Sequence, residues 1–334
     1  MKFRLLGPGG RVWRIIRFVK QIKRQRDFEH QFHIGGNKHR NIHFYVIGIN
    51  QGEEGLFSIV YQILCHIEYA LQRGMTPVVN MRDFPSMFFS KGLNVWEFFF
   101  EQPMGFVLDD VQGAYKATLS YDSHYPKLKV KWNVAALSKK ELKHLQSLYV
   151  EYIRPSKEMK EYIAKNVHNS VFSDLSQAVG CICRGTDFFD APKLGIAKQP
   201  TPEQMIFKVR EFMEKNHLSK VYCATEDARI YQCFCRVFGD SLIPNMQKKY
   251  DGNDGKFLAD VNKERNIDVY AINKQYFLSL YLVTRCHSFV GGNVSGTNAV
   301  LMMDNNFKDY FVFQIGVVSS VDVELHKSEH LFEF

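Results

Sequence analysis

Apolar positions along the chain switch repeatedly between two spacings. Short β-rich runs occupy 43–49, 76–81, 178–183, 220–224, 242–244, 288–290 and 310–315. Between them, apolar residues recur every third or fourth position, as in 56–73 with Leu56, Ile59, Ile63, Ile67 and Ala70. The same helical spacing marks 202–216, 227–238, 269–285 and 296–303. Gly74 is placed to end the first helix, and Thr201 with Pro202 to begin the second. Segment 94–100 gathers Trp96 and three phenylalanines, a helix or its start. The pattern weakens over 105–150, apart from a helical stretch near 139–149, and 247–266 reads as a loop. Strands alternating with helices predict an α/β protein whose parallel sheets are covered on both faces. Two such units are expected, as 41–165 and 166–316, with a polar arm at 1–40 and a tail at 317–334.

Composition narrows the class. A chain that is 46% hydrophobic, with 28 Phe and 16 Tyr, carries too much apolar surface to stay disordered. No run of about 18 residues is apolar enough for a spanning helix. The net charge of +8 is concentrated at one end, because the first 26 residues hold nine basic residues and no acid. Over 10–26, at about 100° per residue, Val12, Ile15, Ile16, Phe18, Val19 and Ile22 share one face. Arg14, Arg17, Lys20 and Arg24 share the other. Such a helix suits an anionic membrane surface or a basic first helix docked on the protein's own body; the membrane is the favoured expectation. The rest of the chain is near neutral and carries no nucleic-acid motif, so no nucleic-acid partner is expected. Seven cysteines, an odd number, include the CxC pairs Cys181/Cys183 and Cys233/Cys235 and form no zinc spacing. They are expected to be buried, reduced thiols in a cytoplasmic protein lying at the inner face of a membrane.

Chemistry is sought just beyond strand ends, where open parallel sheets bind ligands. Arg184-Gly185-Thr186-Asp187 follows one strand, and its guanidinium suits phosphate oxygens, or a structural pair with Asp187. Thr225-Glu226-Asp227 follows the next; these groups fit either a helix cap or contacts to a nucleoside. Gly291-Gly292-Asn293-Val294-Ser295-Gly296-Thr297 turns from strand to helix and presents backbone N–H groups suited to a diphosphate, or makes a plain turn. It matches neither the dinucleotide fingerprint nor the P-loop. Together the three clusters describe a nucleotide-diphosphate site. In the first half, Gly52-Glu53-Glu54-Gly55 allows close backbone approach, and an acid there could take a proton from a hydroxyl or cap the following helix.

These segments resemble the α1,6-/O-fucosyltransferase superfamily across about 43–316. Arg184 and Asp187 align with its His-x-Arg-x-x-Asp motif, with Ile182 at the His position and Gly185 at a common second arginine. Thr225 and Asp227 resemble its Ser/Thr-x-Asp motif, and Ser295–Thr297 its last Ser-rich motif. Gly52, Glu54 and Gly55 are similar to a Gly-rich loop that carries a catalytic glutamate. The resemblance implies a GT-B architecture, with two Rossmann-like domains facing a cleft, one on the acceptor side and one binding the sugar nucleotide. It implies metal-independent, inverting transfer of L-fucose or a related 6-deoxyhexose from a GDP-sugar to a glycan or lipid-linked oligosaccharide, as in surface polysaccharide synthesis. Glu54 would be the base and Arg184 the group on the leaving diphosphate. Gly52, Gly55, Asp187, Thr225, Asp227, Gly292, Ser295, Gly296 and Thr297 would bind donor, with no cofactor. A same-fold transferase for another nucleotide-sugar and a non-catalytic binding relative are the alternatives.

Overall fold

The computed structural model describes residues 29–33, 36–48, 54–83, 86–88, 90–120, 133–167, 174–252, 256, 258–320 and 322. The segment 10–26, expected as a basic helix, Gly52 and most of the 317–334 tail lie outside the described residues. No described helix is long and apolar enough to cross a membrane. The chain forms two compact units, one of residues 1–54 and 62–131, the other of 55–61 and 132–334. The helices of 139–166 belong to the second unit.

The first unit has a four-stranded sheet in the order β1-β4-β2-β3. Its strands are β1 (Glu29–His33), β2 (Lys38–Gly48), β3 (Thr76–Asn80) and β4 (Ala114–Ser120). Strands β4, β2 and β3 run parallel, as the alternation predicted, while β1 pairs antiparallel to β4. Strands β1 and β4 fall in segments that sequence patterning left unassigned. Phe44, Val46, Val78, Ala114 and Ala117 line one core, closed by Leu108 and Val111 of α3 (Leu108–Gln112). Helix α1 (Leu56–Leu71) ends where Gly74, at φ +65°, takes the left-handed conformation and Met75 N–H returns to Ala70 O. The edge of β3 is closed by side-chain amides. Gln102 accepts from Val79 N–H at 2.8 Å and donates to Val79 O at 2.9 Å, mimicking a neighbouring strand. Trp96 and Phe99 of α2 (Trp96–Phe99) are buried beside it.

The second unit has a five-stranded parallel sheet in the order β7-β6-β5-β8-β9. Its strands are β5 (Ala178–Ile182), β6 (Lys220–Ala224), β7 (Leu242–Ile243), β8 (Ser288–Gly291) and β9 (Asp309–Val312). Helices α4 (Lys139–Tyr152), α5 (Lys157–Asn166), α6 (Asp187–Asp190), α7 (Pro202–Asn216), α8 (Ala228–Phe238), α9 (Leu258–Glu264), α10 (Val269–Val283) and α11 (Ser295–Met302) belong to this unit. On one face Val179, Cys181, Val221, Cys223 and Val290 pack with Met205, Val209 and Phe212 of α7 and Ile230 and Phe234 of α8. On the other, α10 comes close enough that a Cβ at Gly180 would lie 3.2 Å from Val283. Thr201 caps α7 by accepting from Gln204 N–H, with Pro202 first in the helix. Helix α4 is tied in by Gln146, which donates to Leu301 O at 2.9 Å. Helix α5 is tied in by the Glu158–Lys274 ion pair. The segment expected as a loop, 247–266, contains α9.

Six of the seven cysteines are buried and Cys235 is exposed. Burial pushes the Cys65 thiol up to about 12 and Cys183 and Cys223 well above their usual range. A thiol reagent should therefore label the folded protein at Cys235 and the remaining thiols only after denaturation; rapid labelling of two or more would contradict this packing. In the first unit, burial pushes His66 down to about 3 while its Nδ1 lies 3.0 Å from Tyr45 Oη. The folded chain then refuses a proton that the unfolded chain binds near pH 6.5. Its contribution to stability is complete above about pH 6.5 and is lost as the pH falls toward 3. Urea titrations should show a shallower acid loss in His66→Gln than in wild type, and parallel slopes would refute the assignment.

Candidate functional site

In the β7-β6-β5-β8-β9 order, connections run to opposite sides of β5, so the sheet reverses between β5 and β8. The crevice of an open α/β sheet lies at that reversal, beyond the strands' carboxyl ends. Arg184 follows β5, Thr225–Asp227 follow β6, and Gly292 follows β8. The structure therefore brings Arg184, Asp187, Thr225, Asp227, Gly292, Ser295, Gly296 and Thr297 to one end of a single unit.

Glu226, between two predicted residues, is the centre of the cluster. It is 3% exposed, and its Oε1 accepts from Gly185 N–H and from the Thr186 hydroxyl, each at 3.0 Å. Its Oε2 lies 3.2 Å from Arg184 Nη1. Burial pushes the carboxyl up; Arg184 opposes this and Asp187 adds to it, and the net direction is upward. Arg184 Nη2 donates to Asp187 Oδ1 at 3.0 Å, and its guanidinium stands 5.1 Å from the Phe188 ring centre. Burial alone would lower the Arg184 pKa, but Glu226, Asp187 and Tyr276 hold it above its usual value. With 18% of its side chain accessible, Arg184 is fixed in direction yet open to a ligand.

Asp227 does a different job from the one its motif suggests. It is 0% exposed and caps α8, accepting from Arg229 N–H at 2.8 Å and Ile230 N–H at 3.3 Å. Its Oδ2 accepts from Thr186 N–H at 2.7 Å and from Arg229 Nη2 at 2.6 Å. Arg229 is further clamped by both oxygens of Asp190, at 3.1 and 2.9 Å. Thr225 is equally inward, its hydroxyl accepting from Asp227 N–H at 3.2 Å. These contacts explain Gly185, because a Cβ there would stand 2.5 Å from both Cβ and Oδ2 of Asp227. No side chain, let alone an arginine, fits that position. Thr186 sits at φ +44°, a conformation that costs a β-branched residue about 1–3 kcal/mol and is held by both acids.

Across the reversal, Thr297 is also spent internally, donating to Gly292 O at 2.5 Å. What α11 offers is its backbone: Val294 supplies no side-chain cap, so the first N–H groups and the positive dipole end look outward from the strand end. Ser295 is half-buried and the only hydroxyl of this turn not enclosed. A Cβ on Gly292 would collide with the Gln199 amide, whose Nε2 donates to Asn293 O at 3.3 Å. Gly55 begins α1, its carbonyl accepting from Ser58 and Ile59 N–H. Two residues on, Phe57 meets Tyr276 of α10 edge-on at 5.6 Å. Glu54 is half-buried and belongs to the first unit. Sequence reasoning named Glu226 only as part of a capping or nucleoside-contacting triplet and missed that it holds Arg184. Tyr276 gave no signal, because a mid-helix aromatic reads as core.

No family model and no curated protein matches the chain. Solved structures of two kinds are similar to it. NodZ α1,6-fucosyltransferase soaked with GDP-fucose shares 15% identity at a TM-score of 0.42, over 78% of this chain and 93% of that one. Fucosyltransferase NodZ from Bradyrhizobium shares 16% at 0.40, over 74% and 88%. POFUT1 in complex with GDP-fucose shares 11% at 0.45, over 82% and 98%.

The Gly185 contact gives a sharp stability test. Gly185→Ala should lose about 1–3 kcal/mol by overpacking against Asp227. Gly55→Ala, with nothing within 4 Å of the new methyl, should stay within about 0.5 kcal/mol of wild type. Equal urea midpoints for the two variants would show that the loops after β5 and β6 are not packed as described.

Proposed function

We propose that the chain is a GT-B glycosyltransferase that moves a 6-deoxyhexose, L-fucose foremost, from a GDP-sugar to a glycan hydroxyl with inversion. The observation that carries this reading is the Arg184 guanidinium, oriented by Glu226 and Asp187 yet accessible, at the sheet reversal where α11 begins. A guanidinium and a helix start beyond adjacent strands are suited to a diphosphate. The motif resemblance narrows the diphosphate to a GDP-sugar.

In this mechanism Glu54 takes the proton of the acceptor hydroxyl as its oxygen attacks the anomeric carbon. The bond from that carbon to the diphosphate oxygen breaks, and its electron pair leaves with GDP. Arg184 and the N–H groups at Ser295 and Gly296 stabilise the charge that grows on the leaving oxygens, which is where preorganised donors act most strongly. The basic segment at 10–26 would hold the enzyme at a membrane surface that carries a lipid-linked acceptor.

Thermal shift against GDP, UDP, ADP and CMP is the decisive measurement. A ligand at about 100 times its Kd adds roughly 2.7 kcal/mol of stability. GDP should stabilise wild type selectively and fail to stabilise Arg184→Ala, and Glu54→Gln should bind GDP normally while losing turnover with GDP-fucose. Selective stabilisation by another nucleotide would replace the donor, and no response to any of them would overturn the transferase reading in favour of a non-catalytic relative.

A further inference from the structure

The crevice holds one more polar group, on an element that the donor motifs do not include. Tyr276 lies in the middle of α10, with its ring set by edge-on contact with Phe57 at 5.6 Å. Its hydroxyl rests against Gly296, the second residue of α11, so closely that a Cβ on that glycine would collide with the hydroxyl oxygen. The same hydroxyl lies within electrostatic reach of Arg184 and Glu226. Tyr276 is half-buried, and its hydroxyl forms no hydrogen bond with any described residue. A phenol partly withdrawn from water ordinarily finds a partner. Around it the Arg184 fork, the first N–H groups of α11 and its own O–H are donors, and the acceptor among its named neighbours, Glu226, is engaged by Gly185, Thr186 and Arg184. Donors converging from three elements fit an acceptor-rich anion brought by a ligand.

We propose that the Tyr276 hydroxyl donates a hydrogen bond to the diphosphate of the bound sugar nucleotide, beside Arg184 and the first turn of α11. This rests on the reading of the unit as a sugar-nucleotide site and adds a third side of recognition to it. Burial raises the Tyr276 pKa, Arg184 opposes and Glu226 reinforces the rise, and the result is about 12. The phenol therefore keeps its proton at neutral pH and acts as a donor to a fully ionised diphosphate. Gly296 is the structural counterpart, because only a residue without Cβ leaves room for the hydroxyl at the helix start.

Calorimetric titration of GDP and guanosine into wild type and Tyr276→Phe tests this. The variant keeps the ring and its contact with Phe57. The expected result is a roughly tenfold loss of GDP affinity, as for a hydrogen bond to a charged group, with guanosine affinity unchanged. Gly296→Ala, which displaces the hydroxyl without removing it, should show the same selective loss and serves if Tyr276→Phe does not fold. Wild-type GDP affinity in Tyr276→Phe would overturn the proposal, and so would a parallel loss for guanosine, which marks a packing role. A wild type that binds no nucleoside diphosphate would overturn the underlying sugar-nucleotide reading. Should wild type prefer another base, the corresponding nucleoside and diphosphate pair is used.

Discussion

Two adjacent carboxylates buried after one strand hold the site end of the larger sheet together. Glu226 and Asp227 both reach from the β6 loop into the β5 loop, where they take up Gly185 N–H, Thr186 N–H and the Thr186 hydroxyl. Burying two charges is costly, and these charge-assisted bonds, with Arg184 and Arg229, offset that cost. Neighbouring parallel strands thus remain registered beyond the point where their ladder ends. The positive φ of Thr186 and the exclusion of any side chain at Gly185 follow from the same two acids. Removing one partner of such a buried pair costs about 3–5 kcal/mol, because the other is stranded. The direction of Arg184 is therefore a property of the fold, set before any ligand arrives.

Where the fold was legible in the sequence, one physical signal dominated its surroundings. Strand β6 was read at its observed bounds because an apolar β-rich run there is buried on both faces. Helix α7 was read equally well because its cap, first-turn proline and periodicity agree. The misses share a different cause. Strand β4 alternates lysine, tyrosine and small residues, and its Thr118 and Ser120 are buried by tertiary bonds to His43 and Gly48, not by hydrophobicity. Strand β1 is polar in sequence and, among the described residues, pairs with β4 alone. Helix α9 is short, with Val261 its buried apolar anchor, too little to register as a period. That α4 and α5 go with the second unit was not legible, because their attachment, through buried Leu142, Tyr149 and Met159 and through Gln146 to Leu301, is a tertiary matter that no local pattern encodes.

The site was legible as a set of places more than as a set of roles. The loops singled out after three strands fall at one end of the sheet, and they were visible because polar and glycine-rich residues interrupt apolar runs there. Which residue faces outward depends on packing between loops. Asp227 and Thr225 match a motif yet turn inward, and Glu226 between them orients the arginine. Gly185 illustrates the limit. As a sequence letter it is a missing arginine, whereas in the fold it is the only residue the neighbouring Asp227 leaves space for.

Geometry also separates two arginines that composition cannot. Arg229 sits between Asp227 and Asp190 with four contacts of 2.6–3.1 Å, so four of its five N–H groups are committed to fixed carboxylates. Arg184 makes one contact to each of its acids, at 3.0 and 3.2 Å, and the rest of its N–H groups remain for something else. Both are flanked by two carboxylates, so charge balance does not distinguish them. The distinction lies in how much of each planar fork is occupied and in position, because Arg184 stands at the sheet reversal and Arg229 stands inside the first turn of α8. An arginine so far committed to fixed carboxylates serves to support a loop. One held by two single contacts beside an uncapped helix start is preorganised for an anion, since its orientation is already fixed and little reorganisation is left for the ligand to drive.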